Sequence, residues 1–160
     1  MKNDLDKAFS IEDGIYHEFF RDLEERYLPN PYHSATHAAD VLNSVLFLIH
    51  STPLETKLTD LEVLGVIIAS IGHDVAHPAL NNRFLINNAH KIALKYNDVS
   101  PLENMHSAIV FKLLMSDDKN LLKNLDSADW FYIRRVIVEM ILSTDMAKHF
   151  ELLGVFRGKL

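Results

Sequence analysis

The sequence predicts an all-α fold, a multi-helix bundle formed by one domain over residues 1–160. Three observations predict it. Apolar residues recur at three- and four-residue spacing along most of the chain. No segment alternates apolar and polar residues as a half-buried strand does. Helix-start signals, a cap residue followed three positions later by glutamate, stand before two of the apolar runs.

The elements follow in order. Phe9, Ile15, Phe19, Phe20, Leu23 and Tyr27 fit one face of a first helix, which Pro29 and Pro31 end. Ala38, Val41, Leu42, Val45, Leu48 and Ile49 form a second stripe. Thr59 with Glu62 makes a capping box before a third helix that carries Leu61, Leu64, Ile68 and Ile71 and stops at Gly72-His73-Asp74. A loop and short helical pieces follow Pro78, with Asn97 and Asp98 as turn residues. Ser100-Pro101-Leu102-Glu103 supplies a cap, a first-turn proline and an acid three after the cap, opening a helix through Met105, Ile109, Leu113 and Leu114. A last long helix runs from near Ala128 to near Gly154 with Ile133, Val136, Ile137, Met140 and Ile141 facing inward. Asp129, Arg134 and Arg135 read as its solvated face.

The bulk numbers narrow the function classes. Sixteen basic against 22 acidic residues give a net charge of −6, so nothing suggests nucleic-acid binding through a basic surface. The chain has no cysteine, which excludes thiolate and disulfide chemistry and fits a reducing compartment. The start, MKNDLDKAFS, is too polar for a secretory leader, and no apolar run approaches the roughly 20 residues of a membrane span.

Histidine is the anomaly. Of nine, His33, His37, His73, His77 and His106 fall in short polar-rich segments. His33 and His37 are four apart, a spacing that puts both on one helical face. His73 and His77 repeat that spacing, with Asp74 between them. Imidazole suits zinc and other borderline cations, and carboxylate with water suits magnesium or manganese. Asp74 has two oxygens and could bridge two ions, and a pair of ions about 3.5–4 Å apart activates water and clamps a phosphoryl group. The alternative is a set of hydrogen-bonded core histidines, each satisfying a helix end. Glu103 is equally well read as the capping-box acid or as a site residue. Thr144-Asp145 interrupts the last apolar face, either to hydrogen-bond locally or to order a metal-bound water. No glycine-rich phosphate loop exists, and Ser107 lacks the setting of a nucleophile, so an activated water is the better attacker.

Four segments in this order, PYHSATHAADV, GHDVAHPALNNRFLINN, YNDVSPLENMHS and STDMAKHFELL, resemble the class I 3′,5′-cyclic nucleotide phosphodiesterases of the HD superfamily, from about Asn30 to about Leu153. The resemblance implies an all-helical catalytic domain with two divalent metal ions. Its reaction is hydrolysis of cyclic AMP or cyclic GMP to the 5′-nucleotide by a metal-activated hydroxide, as a cytoplasmic signalling enzyme. Carried over position by position, His33 would be the general acid. His37, His73 and Asp74 would bind the tighter ion, usually zinc, and Asp74 would bridge to a second, usually magnesium or manganese. His77, Glu103 and Thr144 would hold waters on the second ion, with His106 supporting Glu103 and the general acid. Tyr32, Asn104 and Met146 match positions at the substrate pocket. Met105 stands where the family commonly has His, Ala76 where Asp is common, and Ala79 where Gly is usual. The family's second metal-binding Asp, its purine-binding Gln and the Phe of its base clamp match nothing up to Leu160. The chain is therefore expected to hold the metal-binding half, with regulatory domains an open possibility. Two competing readings are a truncated, inactive homologue that binds metal or a partner and a self-contained HD phosphohydrolase. The YHSATHA and LENMH segments weigh against the latter.

Overall fold

Burial of apolar stripes decides which segments become helices and where they lie. The structure, a computed structural model, describes residues 5–12 and 14–159. Its helices are α1 (Leu5–Ala8), α2 (Ile15–Glu24), α3 (Ala35–Ser51), α4 (Asp60–Gly72), α5 (Asn82–Asn87), α6 (Lys91–Lys95), α7 (Pro101–Leu114), α8 (Ser127–Leu142) and α9 (His149–Arg157). Single 3-10 turns cover Pro53–Thr56 and Met146–Lys148. Among the described residues there is no strand, so the fold is all-α as the spacing predicted. None of these helices is long and apolar enough to cross a membrane.

α4 is the centre. Every residue from Val63 to Gly72 except Ile67 is buried, and a helix apolar all round must be surrounded. It packs against α8, α3 and α7. The Thr59–Glu62 capping box forms as read: the Thr59 hydroxyl accepts from the Glu62 amide at 3.2 Å, and the Glu62 carboxylate accepts from the Thr59 amide at 2.8 Å. Phe19, Ile68, Val110, Ile137 and Ile141 have no exposed surface in this core, and burying each such side chain stabilises the fold by about 1.5–3 kcal/mol. A smaller cluster, Leu85, Ala93 and Leu102, joins α5 and α6 to the start of α7.

The structure corrects several boundaries. The first stripe is two helices: Ser10 and Gly14 both take positive φ (+50° and +94°), so α1 with Phe9 turns away before α2 begins. A left-handed residue ends an α-helix, and the spacing of apolar residues carries no sign of it. The last helix likewise stops at Leu142 and resumes at His149. The Ser143 and Thr144 hydroxyls donate to the carbonyls of Glu139 and Ile141, and Asp145 caps the 3-10 turn by accepting from the Ala147 amide. Polar side chains that bond to nearby backbone compete with helix continuation. Leu48, assigned inward, is 54% exposed. Arg134 leaves the solvated face to lie over the Phe111 ring, 4.2 Å from its centroid, whereas Asp129 and Arg135 are exposed.

The Ser100 signal opens α7, but by a different arrangement. Ser100 has φ +40° and makes no side-chain cap. Its hydroxyl donates to Asp145 Oδ2 at 2.7 Å. Glu103 accepts from Asn82 Nδ2 at 2.8 Å, and Asn82 Oδ1 takes the amide of Leu102 at 3.0 Å. The Leu102 amide of α7 is thus capped from α5, and the Glu103 carboxylate bonds to Asn82 and its own amide in place of the Ser100 amide.

Candidate metal and phosphodiester site

The two histidine pairs recombine in space. Ser34 is the cap of α3, so His33 precedes the helix and His37 lies in its first turn. The two rings sit 6.5 Å apart at 85°, not side by side on a helical face. His73 is the residue after α4, and Asp74 and His77 follow in the turn. His37 meets His73, with ring centroids 5.3 Å apart, and their Nε2 atoms lie 3.6 and 3.1 Å from Asp74 Oδ2. His33 meets His77, stacked at 3.8 Å and 12°. The donor atoms of His37, His73 and Asp74 all lie within 4.8 Å of one another, as do those of His33, Asp74 and His77. Asp74 belongs to both groups.

Local bonds fix these side chains. His73 Nδ1 donates to the Ser70 carbonyl at 2.8 Å, which leaves Nε2 with its lone pair beside Asp74, the arrangement a metal-binding imidazole needs. His77 Nδ1 accepts from the Ala79 amide at 3.0 Å, so the hydrogen bond assigns its proton to Nε2. His77 therefore offers a donor suited to a water, in keeping with the role the resemblance implies. Asn30 Nδ2 donates to the carbonyls of His77 (2.7 Å) and His33 (3.2 Å), tying the two loops together.

The electrostatics favour a charged Asp74 carboxylate. Burial pushes the Asp74 carboxyl up, but His73, His106 and His33 outweigh it and hold it below its usual range. Burial pulls His73 down, yet the adjacent Asp74 carboxylate and the Ser70 carbonyl leave it raised. Burial and the facing His33 lower His77. Burial lowers His106 to about 4. Burial raises Glu103 against the pull of Asn82. Two imidazole nitrogens and a carboxylate oxygen at these distances form a donor set that fits a borderline divalent cation, and the second group shares its carboxylate.

A cavity of about 1140 Å³ opens beside these groups. Of the residues nominated from sequence, all line it except Asn104 and His106. Asn104, expected at the pocket, turns its amide to the carbonyls of Val99 (2.8 Å) and Ser100 (3.1 Å) and secures the turn of Asn97 and Asp98, whose φ values are +53° and +63°. His106 lies behind the site. Its Nδ1 donates to the Val75 carbonyl at 2.6 Å and its ring stacks on His77 at 5.6 Å, so it reaches His33 only through His77. Tyr32 covers the His37 ring at 4.4 Å. Thr144 and Met146 lie exposed at the cavity edge, Met146 73% so.

Sequence reading missed Asn30 and Asn82. One signal for Asn82 was present: Asn81 alone suffices as the cap of α5, accepting from the Phe84 amide at 2.8 Å, so the second asparagine is left for another task.

Residues 32–160 match the 3′5′-cyclic nucleotide phosphodiesterase family, and the chain belongs to it. Over 154 residues it is 43% identical to the rat 3′,5′-cyclic-AMP phosphodiesterase 4C, covering 96% of this chain and 29% of the rat protein. It is 43% identical over 148 residues to the Drosophila melanogaster 3′,5′-cyclic-AMP phosphodiesterase, isoform F, covering 92% of this chain and 22% of that one. The crystal structure of the phosphodiesterase domain of Salpingoeca rosetta rhodopsin phosphodiesterase superposes with a TM-score of 0.93 at 35% identity, covering 97% of this chain and 47% of that domain. The chain thus spans less than a third of the length of these curated relatives.

Proposed function

We propose that this chain contributes the metal-binding and proton-donating part of an enzyme that hydrolyses 3′,5′-cyclic AMP to 5′-AMP. One observation carries the reading: the two donor groups share Asp74, and His33, part of the second, borders the same cavity. The names of the relatives favour cyclic AMP over cyclic GMP.

His37, His73 and Asp74 would hold one ion, proposed as zinc. Asp74 would also hold a second, magnesium or manganese, with His77, Glu103 and Thr144 keeping its waters. When bound, two such ions neutralise phosphoryl charge and lower the pKa of water. The chain's own residues do the rest. Water attacks phosphorus, the bond from phosphorus to O3′ breaks, and His33 gives its proton to O3′; imidazole is the side chain suited to that transfer near neutral pH. His77, stacked on His33, fixes the plane of the donor ring. Tyr32 and Met146 form apolar wall on the substrate side.

The test is metal titration followed by turnover. Zn²⁺ and Mn²⁺ binding is measured calorimetrically for the chain and for Asp74→Ala, which is expected to weaken both sites by more than 100-fold. Release of 5′-AMP, with cyclic GMP assayed in parallel, is expected to fall at least 100-fold in His33→Ala, which spares the first ion's ligands. Turnover or two-ion binding that survives Asp74→Ala refutes the proposal. Should the chain alone turn over too slowly to measure, the metal titration decides.

A further inference from the structure

We infer that Asn82 is a positioning residue for Glu103: it takes over the capping of α7 and aims the Glu103 carboxylate at the cavity. The inference rests on Glu103 belonging to the proposed site.

The sequence Ser100-Pro101-Leu102-Glu103 has the composition of a capping box, in which serine and glutamate would satisfy each other's backbone amides. Neither does. The Ser100 hydroxyl is drawn to Asp145 Oδ2 at 2.7 Å, across 45 residues of sequence. With the serine engaged elsewhere and left-handed, the first turn of α7 needs another acceptor. Asn82 provides it through Oδ1, 3.0 Å from the Leu102 amide, while its Nδ2 stands 2.8 Å from Glu103 Oε2. A side-chain amide does both from two separate atoms, its oxygen accepting and its nitrogen donating. Asn82 and Glu103 both line the cavity. The amide also stabilises the charged carboxylate against its burial. The box residues have thus been exchanged for partners from α5 and from the turn after α8, and the Glu103 carboxylate is turned from the Ser100 amide to Asn82 and its own amide at the cavity wall.

The experiment reads Glu103 directly, without metal or substrate. In the chain carrying ¹³C at glutamate carboxyls, the Glu103 signal is identified by its loss in Glu103→Gln and followed against pH. Asn82→Ala is expected to move its midpoint up by about one pH unit. Asn82→Asp, which keeps the cap but sets a second carboxylate at hydrogen-bond distance, moves it further, and it gives the same reading if Asn82→Ala does not fold. In the reciprocal pair Asn82→Asp with Glu103→Gln, amide and carboxylate trade places, so melting stays near that of the parent chain, whereas Asn82→Ala melts about 3 °C lower. A Glu103 midpoint unmoved in both single Asn82 variants overturns the inference and leaves Asn82 as a helix cap. Failure of the underlying reading is separate: Mn²⁺ affinity unchanged by Glu103→Gln would remove Glu103 from the site without touching the Asn82 contact.

Discussion

A close contact between a helix backbone and a core side chain lies one residue from the site and can be tested by a double-mutant cycle. Gly72 ends α4 against α7. A methyl group built on it would lie 2.4 Å from Val110 Cγ2, 3.7 Å from its Cβ and 3.9 Å from its Cγ1. Carbon atoms pack best at about 3.5–4 Å, so only the Cγ2 contact is impossible, and it overlaps by more than 1 Å. Gly72→Ala should then cost about 1–3 kcal/mol as overpacking, offset by up to about 1 kcal/mol of helix propensity. Val110 is fully buried, and Val110→Ala removes two carbon groups at about 0.8 kcal/mol each, plus a cavity. In the double variant the new methyl meets only the remaining Cβ at 3.7 Å, an ordinary contact. The two substitutions should therefore compensate by at least about 1 kcal/mol. Equilibrium urea unfolding of the four proteins measures this. Because His73 follows Gly72, Zn²⁺ affinity should fall in Gly72→Ala and recover in the double variant. Losses that add to within about 0.5 kcal/mol would refute the steric argument.

Three further outcomes are expected. Metal-free chain should lose stability on acidification through His106. Its folded value, about 4, lies below the roughly 6.5 of an unfolded histidine, so the contribution is full above 6.5 and is lost as pH falls toward 4. Between pH 7 and 5 the loss is about 2 kcal/mol, and urea unfolding of His106→Asn should show a shallower pH slope by that amount. Ala79 has φ +58° where the family usually carries glycine, so Ala79→Gly should raise stability by about 0.5 kcal/mol, the left-handed strain relieved exceeding the chain entropy lost; a lower melting temperature would contradict it. Asn30→Ala releases the carbonyls of His33 and His77 and should lower Zn²⁺ affinity about 10-fold in calorimetry, as loss of an outer support does, with unchanged affinity counting against its tying role.

What the sequence disclosed was periodic or local. The stripe of α4 and the Thr59–Glu62 box are both short-range, and both stand in the structure as read. Of the residues lining the cavity, His33, His37, His73, Asp74 and His77 were legible as two spaced histidine pairs with a carboxylate inside one of them, whereas Tyr32, Glu103, Thr144 and Met146 were placed there by the family resemblance. The breaks were not legible. A left-handed Ser10 or Gly14 leaves no periodic trace, and Thr144-Asp145 reads as an interruption of a helix until the backbone shows that it ends one. The fate of Ser100 and Glu103 was beyond local reading for a different reason: their partners, Asp145 and Asn82, are 45 and 21 residues away, and a capping box looks the same in sequence whether or not a distant side chain dissolves it. Asn104 was placed at the pocket by the resemblance alone, and its amide bonds within the adjoining turn to the carbonyls of Val99 and Ser100.

The two arms of the site are rooted in helices of very different burial. Asp74 and His73 extend from α4, shielded on nearly every side, whereas His37 sits on α3, which buries only Ala38 and Ile49. Amide protons around residue 72 should thus exchange only through whole-molecule opening, while those of residues 35–38 exchange through partial fluctuations. Loss of the chelate by breathing would begin at the α3 side, with the aspartate-bearing half still seated in place.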